Sequence, residues 1–365
     1  MERYQPATGY IPTAGFFIQE TLAMNTLSNQ SIHQGIVYRK STGFYTVFNG
    51  EQMIPCRIAV HLKKQSVPAN DERRTGRNGN RRRRSYSAKE VLTDELAVET
   101  LTVGDRVEFT YTQEGGGTVV AVLPRRSRFS RRAALPGNHP VEQVIAANVD
   151  LVVPVFAAAE PPPRWNMLDR YLVSAESLEL PVLVCITKLD LLRTGSELDE
   201  EIREAVEDYR RIGYRVELVS ARTGEGMEAL KQALQGRISV LVGKSGVGKT
   251  TLLNALQPGL GLRVSEVSQA TGKGKHTTTH PEMFPLDMGG AIVDTPGVRE
   301  FGLWDVNADD LTLFFPEMRP FAGRCRFGLD CRHDEEPGCA IRQAVVQGRI
   351  SPRRYYSYLR LRAEV

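Results

Sequence analysis

Ile238-Ser239-Val240-Leu241-Val242-Gly243-Lys244-Ser245-Gly246-Val247-Gly248-Lys249-Thr250 is the stretch on which the rest of the chain is organised. The first five residues are mostly β-forming and apolar, and read as a buried strand. Thr251 to Leu256 reads as the start of a helix. Between them, Gly243 to Thr250 fits the pattern G-x-x-x-x-G-K-[ST] in its required strand-to-helix setting. Glycines let backbone N–H groups wrap phosphates, and the helix N-terminus adds its positive end. The phosphate cradle is therefore expected from Val242, Gly243, Lys244, Ser245, Gly246, Val247 and Gly248. Lys249 reaches the β- and γ-phosphates, and the Thr250 hydroxyl ligates Mg²⁺.

The segments around this loop alternate in type. Asp150 to Phe156 and Pro181 to Ile186 are continuous apolar strands. Leu168, Tyr171, Leu172, Ala175 and Leu178 have helical spacing, and Glu200 to Ile212 is an amphipathic, charged helix. Val216 to Val219 and Ala291 to Val293 complete the strands. Alternation of this kind predicts a parallel sheet covered by helices.

Thr187-Lys188-Leu189-Asp190 ends one of these strands and resembles the Asn-Lys-x-Asp motif of GTPases. Asp190 can accept from both the ring N–H and the exocyclic amine of guanine. Adenine offers no such donor pair and would leave the carboxylate unpaired. The Lys188 stem can lie along the base, and Thr187 stands where Asn is usual. Ser220-Ala221 follows another strand and resembles the second guanine loop. Asp294-Thr295-Pro296-Gly297 has the D-x-x-G pattern, with Asp294 near Mg²⁺ and the Gly297 amide on the γ-phosphate. Among the threonines of 277–279, Thr278 is the candidate switch ligand of Mg²⁺. The usual order of these motifs is rotated: the guanine loops at 187 and 220 precede the phosphate loop at 243.

Residues 1–140 carry 20 Lys/Arg against 12 Asp/Glu, although the whole chain is only +4. A basic front suits a polyanion partner. From Gln34 to Leu123 short strands recur at close spacing, which predicts a small OB-type barrel. Tyr38, Phe44 and Tyr45 either offer an RNA-stacking face or pack the barrel. A polar stretch of about 64–89, holding Arg81 to Arg84, reads as a disordered insertion that contacts phosphates or is solvated. No apolar run is long enough to span a membrane, and no secretory leader is evident.

Three of the five cysteines fall beside a histidine, as Cys325, Cys331, His333 and Cys339. Three thiolates and an imidazole suit one closed, tetrahedral, structural Zn²⁺ site. Arg324, Arg326, Arg332, Arg342 and Arg349 lie near it, either to meet RNA phosphates or as solvated side chains.

Permuted motifs between a barrel and a Cys/His cluster resemble the RsgA (YjeQ) family of small-ribosomal-subunit biogenesis GTPases. Asn148-Val149-Asp150, Leu168-Asp169-Arg170-Tyr171-Leu172 and Thr295-Pro296-Gly297-Val298-Arg299-Glu300-Phe301 are similar to that family's phrases. The resemblance covers roughly residues 33–360. It implies a multidomain chain: an N-terminal OB-type β-barrel, a central α/β P-loop GTPase domain that is circularly permuted, and a C-terminal, mostly helical zinc-binding domain. The boundaries expected are a flexible tail 1–32, the barrel 33–130, the GTPase domain 131–303 and the metal domain 304–365. It further implies a cytoplasmic monomer that binds GTP and GDP with Mg²⁺ and docks on the small ribosomal subunit and its rRNA, with no membrane partner.

Val298 stands where many GTPases carry a water-orienting Gln, so slow intrinsic turnover is expected, stimulated by the subunit. His276 is the candidate for orienting the water; otherwise it touches RNA or solvent. Two other readings stay open. One is a GTP-gated RNA-binding placeholder with negligible hydrolysis, favoured by Val298. The other is an ATPase acting on nucleic acid, if Asp190 does not read the base.

Overall fold

The structure is a computed structural model that describes residues 31–41, 43–60, 62, 101–134, 140–262, 281–295, 303 and 306–365. Residues 1–30, the insertion about 64–89 with Arg81 to Arg84, and His276, Thr278, Gly297 and Val298 lie outside the described residues.

Five strands form the N-terminal barrel: β1 (His33–Ser41), β2 (Phe44–Phe48), β3 (Met53–Ile58), β4 (Arg106–Tyr111) and β5 (Gly117–Val122). Their order is β1-β2-β3-β5-β4, and β4 closes on β1. β3 and β5 run parallel, the other neighbours antiparallel. This is the five-stranded Greek-key closure of an OB barrel. Along β3, Ile54 and Cys56 alternate inward while Met53, Pro55 and Arg57 face out, and Pro55 precedes the pairing with β5, which begins at Cys56. Tyr45 belongs to the barrel core with Val47 and Phe109, and Tyr38 packs into the neighbouring domain's core. Of the three aromatics considered for an RNA face, only Phe44 is exposed.

A hairpin of β6 (Arg128–Ala134) and β7 (Pro140–Ala147) follows. It crosses residue 130, the boundary expected between the barrel and the GTPase domain. Asn148 fastens barrel to body. Its Nδ2 donates to the Gly104 carbonyl at 2.8 Å and its Oδ1 accepts from Arg126 N–H at 2.9 Å. Its φ of 54° is the left-handed conformation that Asn tolerates.

The body contains β8 (Leu151–Ala157), α1 (Trp165–Ser177), β9 (Leu183–Thr187), α2 (Glu197–Ile212), β10 (Arg215–Leu218), α3 (Met227–Leu234), β11 (Ile238–Val242), α4 (Lys249–Leu256), β12 (Glu282–Pro285) and β13 (Ala291–Asp294). The sheet order is β10-β9-β8-β11-β13-β12, parallel except for β12. Every residue of β8 is buried because both faces are covered. Val152 and Phe156 enter one core; Leu151, Val153 and Val155 enter the other. α2 shows why its ends fall where they do. The Ser196 hydroxyl accepts from Asp199 N–H, and Gly213, at φ 110°, ends the helix with bonds to the Arg210 and Tyr209 carbonyls. β9 and β10 lie on one side of β8 and β11 on the other. That reversal of strand order opens a crevice at the carboxyl ends of β8, β9 and β11. Single pairing of Arg39 on β1 with Glu282 on β12 makes barrel and body one continuous sheet.

The C-terminal unit is built of 3₁₀ turns and two helices, α5 (Ala340–Val346) and α6 (Pro352–Arg362). Its core of Leu311, Phe315, Met318, Tyr358 and Leu361 takes in Val173 from α1. Arg354 has no exposed surface, and its bidentate grip on Glu317 (2.7 and 3.1 Å) stays within this unit. Its third contact crosses to Asp169 of α1. Among the described residues, no helix is long and apolar enough to cross a membrane.

Candidate nucleotide site and metal centre

The phosphate loop leaves β11 and enters α4 as its spacing predicts. Gly243 is required by close approach: a Cβ there would sit 2.3 Å from the Val155 carbonyl oxygen of β8. Gly248 has φ 95°, and a Cβ on it would meet Thr187 Oγ1 at 3.4 Å and Lys188 Cε at 3.8 Å. The phosphate loop and the Thr187–Asp190 loop are therefore in direct contact.

Thr187 makes the joint. Its hydroxyl lies 2.5 Å from the Val247 carbonyl and 3.2 Å from the Phe156 carbonyl, and it can donate its single proton to either. A hydroxyl thus ties the two loops where an Asn amide is usual. Lys188 adopts φ 60°, and its ammonium donates to the Glu160 carbonyl. Burial lowers the Lys188 pKa, with Glu160 and Asp190 opposing. Its stem thereby runs beside Gly248, at the crevice rim.

Asp190 Oδ1 accepts from the Ser220 hydroxyl at 2.6 Å. Ser220, fully buried, also accepts from Thr223 N–H and is fixed through its backbone to Glu225 and Gly224. Arg222 stands 3.8 Å from Asp190 Oδ2. The Asp190 side chain is 14% exposed, so it is largely enclosed between Ser220 and Arg222. Leu189 N–H donates to the Val219 carbonyl, which brings the loop of Ser220 and Ala221 against the first guanine loop.

On the phosphate side, the Lys249 ammonium donates to the carbonyls of Gly243 (2.7 Å) and Lys244 (3.0 Å). Burial lowers its pKa, and Asp294 partly opposes. Burial likewise raises the Asp294 pKa, with Lys249 opposing. Asp294 Oδ1 is buried and has no hydrogen-bond partner among the described residues. A buried, unpartnered carboxylate oxygen beside the Lys249 ammonium is what a hard cation ligated by oxygen would complete. Thr250 is half-buried on the first turn of α4. Thr295, next to Asp294, anchors its turn by donating to the Leu241 carbonyl at 2.7 Å.

Cys325, Cys331, His333 and Cys339 are all buried, with their ligand atoms within 4.8 Å of one another. Zn–S bonds of about 2.3 Å and Zn–N bonds of about 2.0 Å in a tetrahedron imply S···S near 3.8 Å and S···N near 3.5 Å. The Cys325 and Cys339 sulfurs are 3.9 Å apart, and His333 Nδ1 lies 3.4 and 3.5 Å from them. The donor set fits zinc in both chemistry and spacing. Backbone N–H groups of Ala340 and Arg342 donate to Cys325 and Cys339 sulfurs, which favours thiolates. The Tyr355 hydroxyl donates to the His333 carbonyl at 2.6 Å and fixes the left-handed turn at that residue. With no cation, burial pushes the Cys331 thiol up to about 12. Arg324, Arg326, Arg332, Arg342 and Arg349 are exposed around this centre. Sequence reasoning missed the Glu160 carbonyl as the partner of Lys188, because backbone contacts leave no residue-type signal.

Comparison with known proteins adds to this geometry. The family model described as RsgA GTPase matches residues 122–304. A Gemmatimonas aurantiaca protein named small ribosomal subunit biogenesis GTPase RsgA is 46% identical over 268 residues, 73% of this chain and 84% of that one. A Pseudomonas putida protein of the same name is 46% identical over 258 residues, 71% of this chain and 73% of the relative. The crystal structure of YjeQ from Thermotoga maritima superposes with TM-score 0.67 at 30% identity, covering 92% of this chain and 98% of that one. YloQ, described as a circularly permuted GTPase, gives 0.62 at 27% identity, covering 92% and 95%. With phosphate and guanine loops meeting in one crevice, in permuted order, between a closed barrel and a Cys₃His centre, the chain belongs to the RsgA GTPase family.

Proposed function

We propose that this chain hydrolyses GTP to GDP and phosphate while bound to the small ribosomal subunit, late in that subunit's assembly. The observation that carries the reading is the tie of Thr187 to the phosphate loop at Val247, with the bonded pair Asp190 and Ser220 at the end of the same loop. The names of the Gemmatimonas and Pseudomonas relatives support the subunit as partner.

Val242 to Gly248 receive the phosphates, and Lys249 trades its two carbonyl partners for phosphate oxygens. Asp190 accepts from the guanine N–H pair, Lys188 and Leu189 border the base, and the Ala221 backbone meets the base oxygen. Thr250, Asp294 and Thr278 hold Mg²⁺, and the Gly297 amide meets the γ-phosphate. When bound, Mg²⁺ neutralises charge building up on the transferred phosphoryl group. His276 orients the attacking water once the subunit has docked. The Cys₃His set holds one structural zinc. The units run over 33–130, 131–303 and 304–365, and the protein is a cytoplasmic monomer.

A phosphate-release assay with and without purified small subunits tests this reading. Slow turnover alone and faster turnover with subunits are expected. A second reading, a GTP-gated placeholder with negligible hydrolysis, is favoured by Val298. Absence of turnover in both arms would favour it instead.

A further inference from the structure

The loop of residues 158–164 leaves the carboxyl end of β8 and reaches the guanine side of the crevice. Ala158 N–H donates to the Thr187 carbonyl at 2.8 Å, and the Glu160 carbonyl takes the Lys188 ammonium. The loop ends at Trp165, the first residue of α1. Trp165 is 7% exposed, and its indole N–H donates to Glu201 of α2 at 2.7 Å.

Its ring is also in contact with the metal unit. The Arg353 guanidinium of α6 lies 5.2 Å from the Trp165 ring centroid and 4.8 Å from that of Tyr209. Arg353 donates to the Tyr209 hydroxyl at 3.0 Å and to Asp208 at 3.3 Å, so both its face and its edge are engaged. Next along α6, Arg354 is fixed to Asp169, and four residues on, Tyr358 packs beside His333. The metal centre thus packs against α6, which carries Arg353, and Arg353 closes over the residue from which the 158–164 loop is hung.

We propose that Trp165 and Arg353 are positioning residues for the guanine pocket. The metal unit braces the 158–164 loop through this stacked pair, and the loop holds Lys188 in line with the base. The inference rests on the base-pocket reading above and deepens it. Chain order suggests a different route, in which Asp294 to Gly297 runs straight into the metal unit and reports the γ-phosphate. The two routes make opposite demands. A brace on the base pocket acts equally on GDP and GTP; a γ-phosphate route distinguishes them.

Coupling is reciprocal for binding, so it can be read from both ends. Fluorescent GDP and a non-hydrolysable GTP analogue are titrated into the wild-type full-length protein, Arg353→Ala and Arg353→Lys. In parallel, zinc is brought to equilibrium between each protein and a competing chelator, with and without either nucleotide, and the fraction released is read colorimetrically. Arg353→Ala is expected to weaken both nucleotides by the same factor, about fivefold or more. Arg353→Lys, which keeps a cation over the rings, restores most of the affinity. GDP and the analogue are expected to lower the extent of zinc release from the wild type equally, and to have no such effect in Arg353→Ala.

Wild-type affinity in a folded Arg353→Ala, or zinc release that responds to the GTP analogue but not to GDP, overturns the brace. If Arg353→Ala does not fold, zinc release from the wild-type protein decides alone. A wild type that binds no guanine nucleotide would instead remove the base-pocket reading itself.

Discussion

Arg354 donates to Asp169 Oδ1 at 2.6 Å, and neither side chain has any exposed surface. The pair joins α6 of the metal unit to α1 of the GTPase body, and the Tyr209 hydroxyl donates to the same Asp169 oxygen at 2.7 Å. Phe315 stacks beneath the guanidinium, 4.5 Å from its centre. Buried ion pairs are costly to assemble and costlier to halve. Arg354→Met leaves Asp169 and Glu317 charged and unpaired, so a loss of about 3–5 kcal/mol is expected. Urea unfolding measures it, and a loss below about 1 kcal/mol would show the carboxylates finding other partners.

Thr187 offers a cleaner probe, because the change is one hydroxyl. Thr187→Val keeps the shape of the side chain and removes the link to Val247. Losing one buried hydrogen bond is worth about 1 kcal/mol, so GDP and GTP should both bind about fivefold more weakly. Thr187→Ser should bind as the wild type does. Equilibrium titration with fluorescent nucleotides reads the difference, and equal affinity in all three would show that the tether is dispensable.

Asp190→Asn tests the choice of base. The amide can no longer accept from both guanine donors, and its NH₂ would face one of them. Guanine nucleotides should lose about 100-fold in affinity, as expected for two charge-assisted hydrogen bonds. Xanthine has a carbonyl where guanine has its amine, and that carbonyl accepts from the new NH₂. Xanthosine triphosphate should therefore bind Asp190→Asn more tightly than GTP does. The opposite ranking in competition titrations would remove Asp190 from base recognition.

Metal analysis should give one zinc per chain, and close to none for Cys331→Ser. Since Cys331, Cys325 and Cys339 belong to the same apolar core as Phe315 and Tyr358, loss of zinc should loosen that core. Amide exchange should rise first in 340–362. Unchanged protection there after chelation would mean that the packed core stands without the metal.

The candidate phosphate, base and metal motifs were legible because each depends on residue type at fixed spacing. Gly243 must be glycine to lie against Val155, and a tetrahedral cation needs its four donors whatever the loop around them. The strands of the body were legible from apolar runs such as 151–157. The barrel aromatics were not: Tyr38 and Phe44 look alike in sequence, and only the closure of β1 against the body buries one and exposes the other. The Arg354 network was also hidden. An arginine in a basic helix reads as solvated until Asp169, 185 residues away, is brought against it.

Arg39 and Glu282, paired across β1 and β12, stand 243 residues apart in the chain. At about 5–20 residues per second of synthesis, the Arg39 side of β1 waits roughly 12–50 s for its partner strand. The barrel's other strands are all made within the first third of the chain and can close long before. During that interval the nascent barrel carries one short open edge, and a charged residue there is a known guard against the wrong neighbour. Chain order thus sets a timetable: the N-terminal barrel can be complete on the emerging chain well before the GTPase body that it joins.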